Sequence, residues 1–243
     1  MKVISWNCRG IKNEKCLRNC RDMVIWYEPS ILALLERKLN PNSMAAKIAR
    51  KFGFNCFCLG FSGWHFVTLE KGKCSATIRS TSQAIHTLVG VDGRDVILSC
   101  LYVQPHFNMK ELFWTGMEVL AKKNTLPWVV IGDFNDIASI DEKWSGAQFC
   151  LSKARLFVER VDAFSLFDMG ATGVRFTWFR KVHGKVTIRE RLDRVLVNTP
   201  AQLLFPESRL VNLPSLCSDH HPILWHSHLS SPPPLPYEFT ILN

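Results

Sequence analysis

Short apolar runs bounded by charge, glycine or proline recur along this chain, and their period separates strands from helices. Residues 2–6, 31–35, 96–103, 128–131, 191–197 and 223–225 are compact and apolar and read as buried strands. Apolar positions spaced for one helical face recur in 15–27, which stops before Pro29, and in 43–52, which stops at Gly53. The same reading gives helices over 110–123 and 152–163. Between 62 and 82 the pattern weakens, although alternation around 66–69 and 75–78 predicts a hairpin. Strands and helices alternate loosely, which predicts an α/β or α+β architecture and excludes an all-helical bundle. From Ser230 the run Ser-Ser-Pro-Pro-Pro-Leu-Pro resists regular structure. The expected organisation is therefore one domain over 1–228 and a Pro-rich linker or truncated tail over 229–243.

Each apolar run ends in polar residues that a buried strand does not need. Asn7 follows Ser5-Trp6, Glu36 follows Leu34-Leu35, and Tyr102 follows Leu101. Gly132 leads into Asp133-Phe134-Asn135, and Asp193 lies in Arg191-Leu192-Asp193-Arg194. Ser218-Asp219-His220-His221-Pro222 stands immediately before Ile223. A carboxylate beside a buried strand is costly unless it is paired, hydrogen-bonded or bound to metal. Strand ends delivering all of these groups to one rim would form a site.

The chemistry such a set suits is phosphodiester cleavage. Mg²⁺ takes oxygen ligands, so Glu36 is the candidate metal ligand, with Asn7 and Asp219 as helpers. Asp133 is the candidate general base for an attacking water. His220, Asn135 and Tyr102 are candidate donors to the phosphate oxygens as charge builds. Asp193 is placed to orient His220 and favour its imidazolium form. Plainer readings stay open for single segments: a turn at Asn7, a solvated charge at Glu36, an Asx turn at Asp133-Phe134-Asn135. Asp with two His in succession at 219–221 is harder to assign to a turn; of these, His221 reads as the structural member.

Composition narrows the partners. Apolar residues make up 47% of the 243, enough for a sizeable core and too many for a disordered chain. The balance of 30 Lys+Arg against 21 Asp+Glu gives +9, which favours an anionic partner, nucleic acid being the commonest. Nine cysteines include no CxxC pair and no second half for Cys16/Cys20 or Cys56/Cys58, so they read as free thiols in a reducing compartment rather than a zinc site. No signal-peptide stretch and no apolar run of membrane-spanning length is visible, and the expected location is nuclear or cytoplasmic, not secreted.

Taken together and in order, these segments resemble the endonuclease/exonuclease/phosphatase superfamily, the DNase I-like fold. The resemblance runs from about Lys2 to Trp225. It rests on Ser5-Trp6-Asn7-Cys8-Arg9-Gly10, Leu34-Leu35-Glu36, Tyr102 with Pro105, Gly132-Asp133-Phe134-Asn135, Arg191-Leu192-Asp193-Arg194 and Ser218–Pro222. It implies a four-layer α/β sandwich, two packed mixed sheets flanked by helices, with the site where strand ends of both sheets meet. It also implies Glu36 as principal metal ligand with Asn7 and Asp219 nearby, and Asp133 on the attacking water. Asn135, His220 and Tyr102 would lie on the phosphate, with Asp193 paired to His220.

Within that superfamily the chain looks most like the endonuclease domain of plant LINE-type non-LTR retrotransposons. Phe176-Thr177-Trp178 and Arg191 through Asn198 add to the match. The resemblance implies DNA nicking with Mg²⁺ (Mn²⁺ as a substitute), a monomer, and a reverse transcriptase region on the full-length element. Departures are Arg37-Lys38 where such elements usually carry Thr-Lys, Trp64-His65-Phe66 in place of a glycine-rich strand, and Val103-Gln104-Pro105-His106 without the asparagine of some relatives.

Candidate phosphate contacts are Lys143, Arg175, Arg180, Lys181, Lys185, Arg189, Arg191 and Arg194, interleaved with Trp144, Phe176, Trp178 and Phe179. The basic run 175–194 is expected to form a hairpin that could cross a minor groove, and Trp178 either wedges into DNA or anchors a strand. Two alternatives to a DNA-nicking enzyme stand beside it. One is a phosphodiesterase or phosphatase for another phosphate ester; the other is an inactive remnant that only binds nucleic acid.

Overall fold

The structure, a computed structural model, describes residues 1–10, 14–35, 41–54, 56–59, 65–69 and 74–228. Glu36, Arg37-Lys38, Ser62 to Trp64 and the linker over 229–243 lie outside the described residues.

In chain order the strands are β1 (Lys2–Asn7), β2 (Ile31–Leu35), β3 (Cys56–Leu59), β4 (His65–Leu69), β5 (Cys74–Ser80), β6 (Ala84–Val91), β7 (Arg94–Tyr102) and β8 (Trp128–Asp133). They continue as β9 (Lys143–Trp144), β10 (Leu166–Asp168), β11 (Thr172–Gly173), β12 (Trp178–Val182), β13 (Lys185–Glu190), β14 (Asp193–Asn198), β15 (Arg209–Asn212) and β16 (Ile223–His226). The helices are α1 (Glu14–Tyr27), α2 (Pro41–Lys51), α3 (Phe107–Ala121), α4 (Leu151–Ala163) and α5 (Thr199–Leu204). One sheet has seven strands in the order β11-β15-β16-β1-β2-β4-β3; the second has six, β10-β14-β8-β7-β6-β5. A small third sheet, β12-β13-β9, is joined to the turn before β16 by a bridge between Trp178 and His220.

Side-chain alternation builds the layers. In β2, Ile31 and Ala33 enter the core between the two large sheets, facing Leu98, Val129 and Val195. Leu32 and Leu34 point the other way, onto Cys16, Cys20 and Met23 of α1 and Ile48 of α2. Across the second sheet, Val130 and Leu196 meet Phe113, Trp114 and Met117 of α3 and Phe157 of α4. The result is helices, sheet, sheet, helices. Because both faces of the central strands are covered, their apolar runs are nearly continuous, which is why they stand out in the sequence.

The hairpin expected from 66–69 and 75–78 does not form. Residues 65–69 pair with β2 and β3 in the seven-stranded sheet, whereas 74–80 pair with β6 in the other. Alternation reports a strand and its faces but not its partner. The hairpin expected within 175–194 is present as antiparallel β12–β13, with Trp178 opposite Glu190 and Val182 opposite Lys185. The strand expected from 191 begins instead at Asp193.

Candidate active site

The two large sheets bring their polar strand ends to one rim. β1 ends in Asn7 and pairs antiparallel with β16, so the turn before Ile223 lies beside that end. β8 ends in Asp133, and Asp193, the first residue of β14, is its register partner. Tyr102 ends β7 opposite Asp133 in a parallel pair. Two sheets therefore contribute to one buried cluster.

The distances are short. Asp193 Oδ2 lies 2.9 Å from His220 Nδ1, and Asp133 Oδ2 lies 3.7 Å from His220 Nε2. Asn7 Nδ2 donates to Asp133 Oδ2 at 3.0 Å and lies 3.4 Å from His220 Nε2. All four side chains are buried, with Asn7 and Asp133 fully so. Facing Asp193, the His220 ring donates from Nδ1, which turns Nε2 toward Asp133 and Asn7.

Backbone geometry sets these positions. Gly132 has φ +145, and a Cβ there would sit 2.0 Å from the Leu101 carbonyl oxygen, so only glycine lets β8 pass β7 and turn out Asp133. Asn135 has φ +50, and its backbone N–H donates to Asp133 Oδ1 at 2.9 Å. The Ser218 hydroxyl donates to the Asn7 carbonyl at 2.8 Å and accepts from the His220 N–H at 3.1 Å. Trp6 Nε1 donates to the His220 carbonyl at 3.0 Å. Thr177 Oγ1 accepts from the N–H groups of Leu192 and Asp193, both at 2.9 Å. Ser218, Trp6 and Thr177 thus pin the turns that carry the titratable groups. Their motifs were visible in the sequence, but their supporting bonds span up to 214 residues and have no local pattern.

Electrostatics couples the cluster. Burial pushes the Asp133 carboxyl well above the ordinary carboxylate range, and the neighbouring His220 only partly offsets it. Burial alone would lower the His220 imidazole, but the carboxylates of Asp193 and Asp133 outweigh it and raise it to about 9. At neutral pH the ring therefore holds its proton between two acids.

The remaining expected residues divide. Asp219 sits at the rim, its Oδ1 2.8 Å from Arg9 Nε and its Oδ2 accepting from Trp178 Nε1 at 3.0 Å. Trp178 is half-buried and its ring lies 6.5 Å from that of His220, so it packs against the cluster. The Asn135 side-chain amide gives its hydrogens to the Val103 carbonyl at 2.8 Å and to Asp133 at 3.2 Å, which makes it a support for Asp133 as placed. Among the described residues, Asp133, Asp193 and His220 form the one group whose ligating atoms lie within 4.8 Å of one another. With the ring protonated, that trio suits proton holding better than metal ligation. The Ser218 hydroxyl ties the backbone carbonyl of Asn7 to the Asp219 turn. The Asn7 side-chain oxygen, which accepts from the Arg9 N–H at 3.2 Å, and the Asp219 carboxylate are hard donors of the kind a divalent cation such as Mg²⁺ takes.

Three cations expected on phosphate are committed elsewhere. Arg194 is 1% exposed and bonds both Glu142 and Asp168; Arg191 reaches the same two carboxylates, and Lys143 pairs with Glu190. Pairing at those separations, 142 and 168 with 194, cannot be read from local sequence. Arg180, Lys181, Lys185 and Arg189 remain exposed on the hairpin.

Two packed mixed sheets under helices, with a buried acid–histidine cluster at their joint rim, define an α/β protein of the DNase I-like fold. Solved structures share it. The endonuclease domain of TRAS1, a telomere-specific non-LTR retrotransposon, matches with TM-score 0.70 at 11% identity, over 95% of this chain and 99% of that one. An AP endonuclease from Leishmania major matches with TM-score 0.70 at 17% identity, over 94% and 88%. The 3′ phosphatase NExo from Neisseria, bound to a product DNA hairpin, matches with TM-score 0.67 at 19% identity, over 93% and 98%. No curated protein matches the chain. Residues 4–220 match the endonuclease/exonuclease/phosphatase family, and the chain belongs to it.

Proposed function

We propose that this protein is a divalent-metal-dependent phosphodiester hydrolase that nicks DNA. The observation that carries the reading is the convergence of Asn7, Asp133, Asp193 and His220 from two sheets into one buried cluster. Asp133, with its proton affinity raised toward neutrality, accepts the proton of an attacking water. His220, held as imidazolium by Asp193, donates from Nε2 to a non-bridging phosphate oxygen as negative charge develops. Asn135 fixes the Asp133 carboxylate, and Tyr102, beside it at the end of β7, is the further donor to the phosphate. Asn7 and Asp219, with Glu36, would hold Mg²⁺ (or Mn²⁺), which would supply Lewis-acid stabilisation of the phosphate when bound. The activities named for the structural neighbours, endonuclease and 3′ phosphatase, support a nucleic acid substrate.

The test is a panel of supercoiled plasmid, abasic duplex and inositol phosphates in Mg²⁺, Mn²⁺ and EDTA. Conversion of supercoiled to open-circular plasmid in either metal, abolished by EDTA, is the expected result. Turnover confined to abasic duplex or inositol phosphates would reassign the substrate. Salt-sensitive binding with no cleavage of any substrate would mark an inactive nucleic-acid binder.

A further inference from the structure

Behind the rim that carries the cluster lies a groove. Trp178 and His220 form an antiparallel bridge, so they share one face of a narrow strip, and the residues that follow them turn to the opposite face. There Phe179 and His221 pack edge to face at 5.8 Å and open into a groove of about 550 Å³. Arg175, Phe176, Lys181 and Arg189 also line it; among the described residues no carboxylate lines it, and Asp141 Oδ1 stands 3.9 Å from Arg175 outside the lining.

The walls alternate charge and ring. Lys181 Nζ lies 5.2 Å from the Phe179 centroid and the Arg175 guanidinium 5.2 Å from that of Phe176. Arg175 also donates to the Asp141 carbonyl at 2.7 Å, which fixes the guanidinium at the groove mouth. His221 Nδ1 is bonded to the Leu213 carbonyl at 2.9 Å, which locks that ring as part of the floor. The Phe179 N–H donates to the Asp219 carbonyl at 3.0 Å, so the groove shares its backbone floor with the site residues.

A surface that only neutralised a duplex backbone would need cations and no recessed rings. Base pairs inside a duplex present edges, not faces, to a protein. Rings flanked by cations fit a planar, unstacked base together with its phosphates. We propose that this groove seats an unpaired nucleotide of a single-stranded segment lying next to the cleavage site, the base on Phe179 and Phe176 and the phosphates on Arg175, Lys181 and Arg189. The proposal deepens the nuclease reading and rests on it for the identity of the anion.

The test measures binding in EDTA, which separates it from catalysis. The probe is a fluorescein-labelled single strand of about a dozen thymidylates, within the span one such surface covers. Heparin, a polyanion without bases, is the comparison ligand. Phe179→Ala should weaken thymidylate binding about tenfold and leave heparin affinity unchanged. Phe179→Leu, which keeps the bulk and removes the ring, should show the same selectivity if truncation perturbs folding. Lys181→Ala with Arg189→Ala should weaken both ligands and reduce the slope of log affinity against log salt by about 1.4. Unchanged thymidylate affinity in both Phe179 variants, or equal losses on thymidylate and heparin, would overturn the proposal. Plasmid nicking in Mg²⁺, assayed separately, reports on the hydrolase reading alone.

Discussion

Asp133 has no solvent exposure, two hydrogen-bond donors on one carboxylate oxygen and an imidazole 3.7 Å away. A carboxylate so placed is a base whose proton affinity is set by its surroundings. Asp133→Asn keeps the shape and removes the basic carboxylate, so nicking should fall by about 10²–10⁴-fold while circular dichroism stays that of the native protein. Unchanged turnover would take Asp133 out of the mechanism. The same cluster sets a pH dependence. His220 in the folded state titrates at about 9, above its ordinary value of 6.5, so the folded form holds this proton more tightly. The stability that contributes is fully present below the unfolded value and is lost as pH rises through about 9. The upward shift of Asp133 has the same sign, costing stability as pH rises from the carboxylate range toward neutrality. Melting of the metal-free protein should therefore fall between roughly pH 6 and pH 9.5, and the fall should be shallower in His220→Gln. An equally steep decline in that variant would place its origin elsewhere.

The elements hold this cluster through a few exacting contacts. At Gly132 a methyl group would collide with the Leu101 carbonyl, in a backbone conformation that side chains rarely adopt. Gly132→Ala should cost more than about 2 kcal/mol in urea denaturation, because neither strain nor clash is relieved without moving β7 from β8. A midpoint equal to wild type would mean the strand pair yields freely. On the outer side of the second sheet, Arg194 is sealed under Phe157 and ties β14 to Glu142 and Asp168. Arg194→Ala would vacate a buried site and leave the half-buried Glu142 and the exposed Asp168 to Arg191 alone, and should destabilise by about 1–2 kcal/mol. A change under about 0.5 kcal/mol would show the network to be ornamental to stability. Legibility also differs by element. Residues 31–35 stood out because both faces are buried, whereas β6, with Thr87 and His86 among its apolar residues, and the short β15 did not. Strand partnership at 65–69 and 74–80 is not legible for a related reason: a period of two fixes faces and leaves the choice of sheet to long-range packing.

At the scale of the molecule, the candidate site lies where the polar strand ends of the two large sheets meet. Asn7 and His220 belong to the seven-stranded sheet and its approach turn, Asp133 and Asp193 to the six-stranded one. Asn7, Asp133, Asp193 and His220 were readable because each interrupts an apolar run at its end with a group that burial penalises. The charges of Lys143, Arg191 and Arg194 were not, since a cation in sequence looks the same whether it faces phosphate or a distant carboxylate. If sheets and residues act as one hydrolytic unit, losses from its parts should not multiply. The direct measurement is single-turnover nicking of supercoiled plasmid in Mg²⁺ by wild type, Asp133→Asn, His220→Ala and the double variant. Cleavage by wild type, a drop of about 10²–10⁴-fold in each single variant and a double variant no slower than the poorer single is the predicted result. Wild-type rates in both single variants would contradict it.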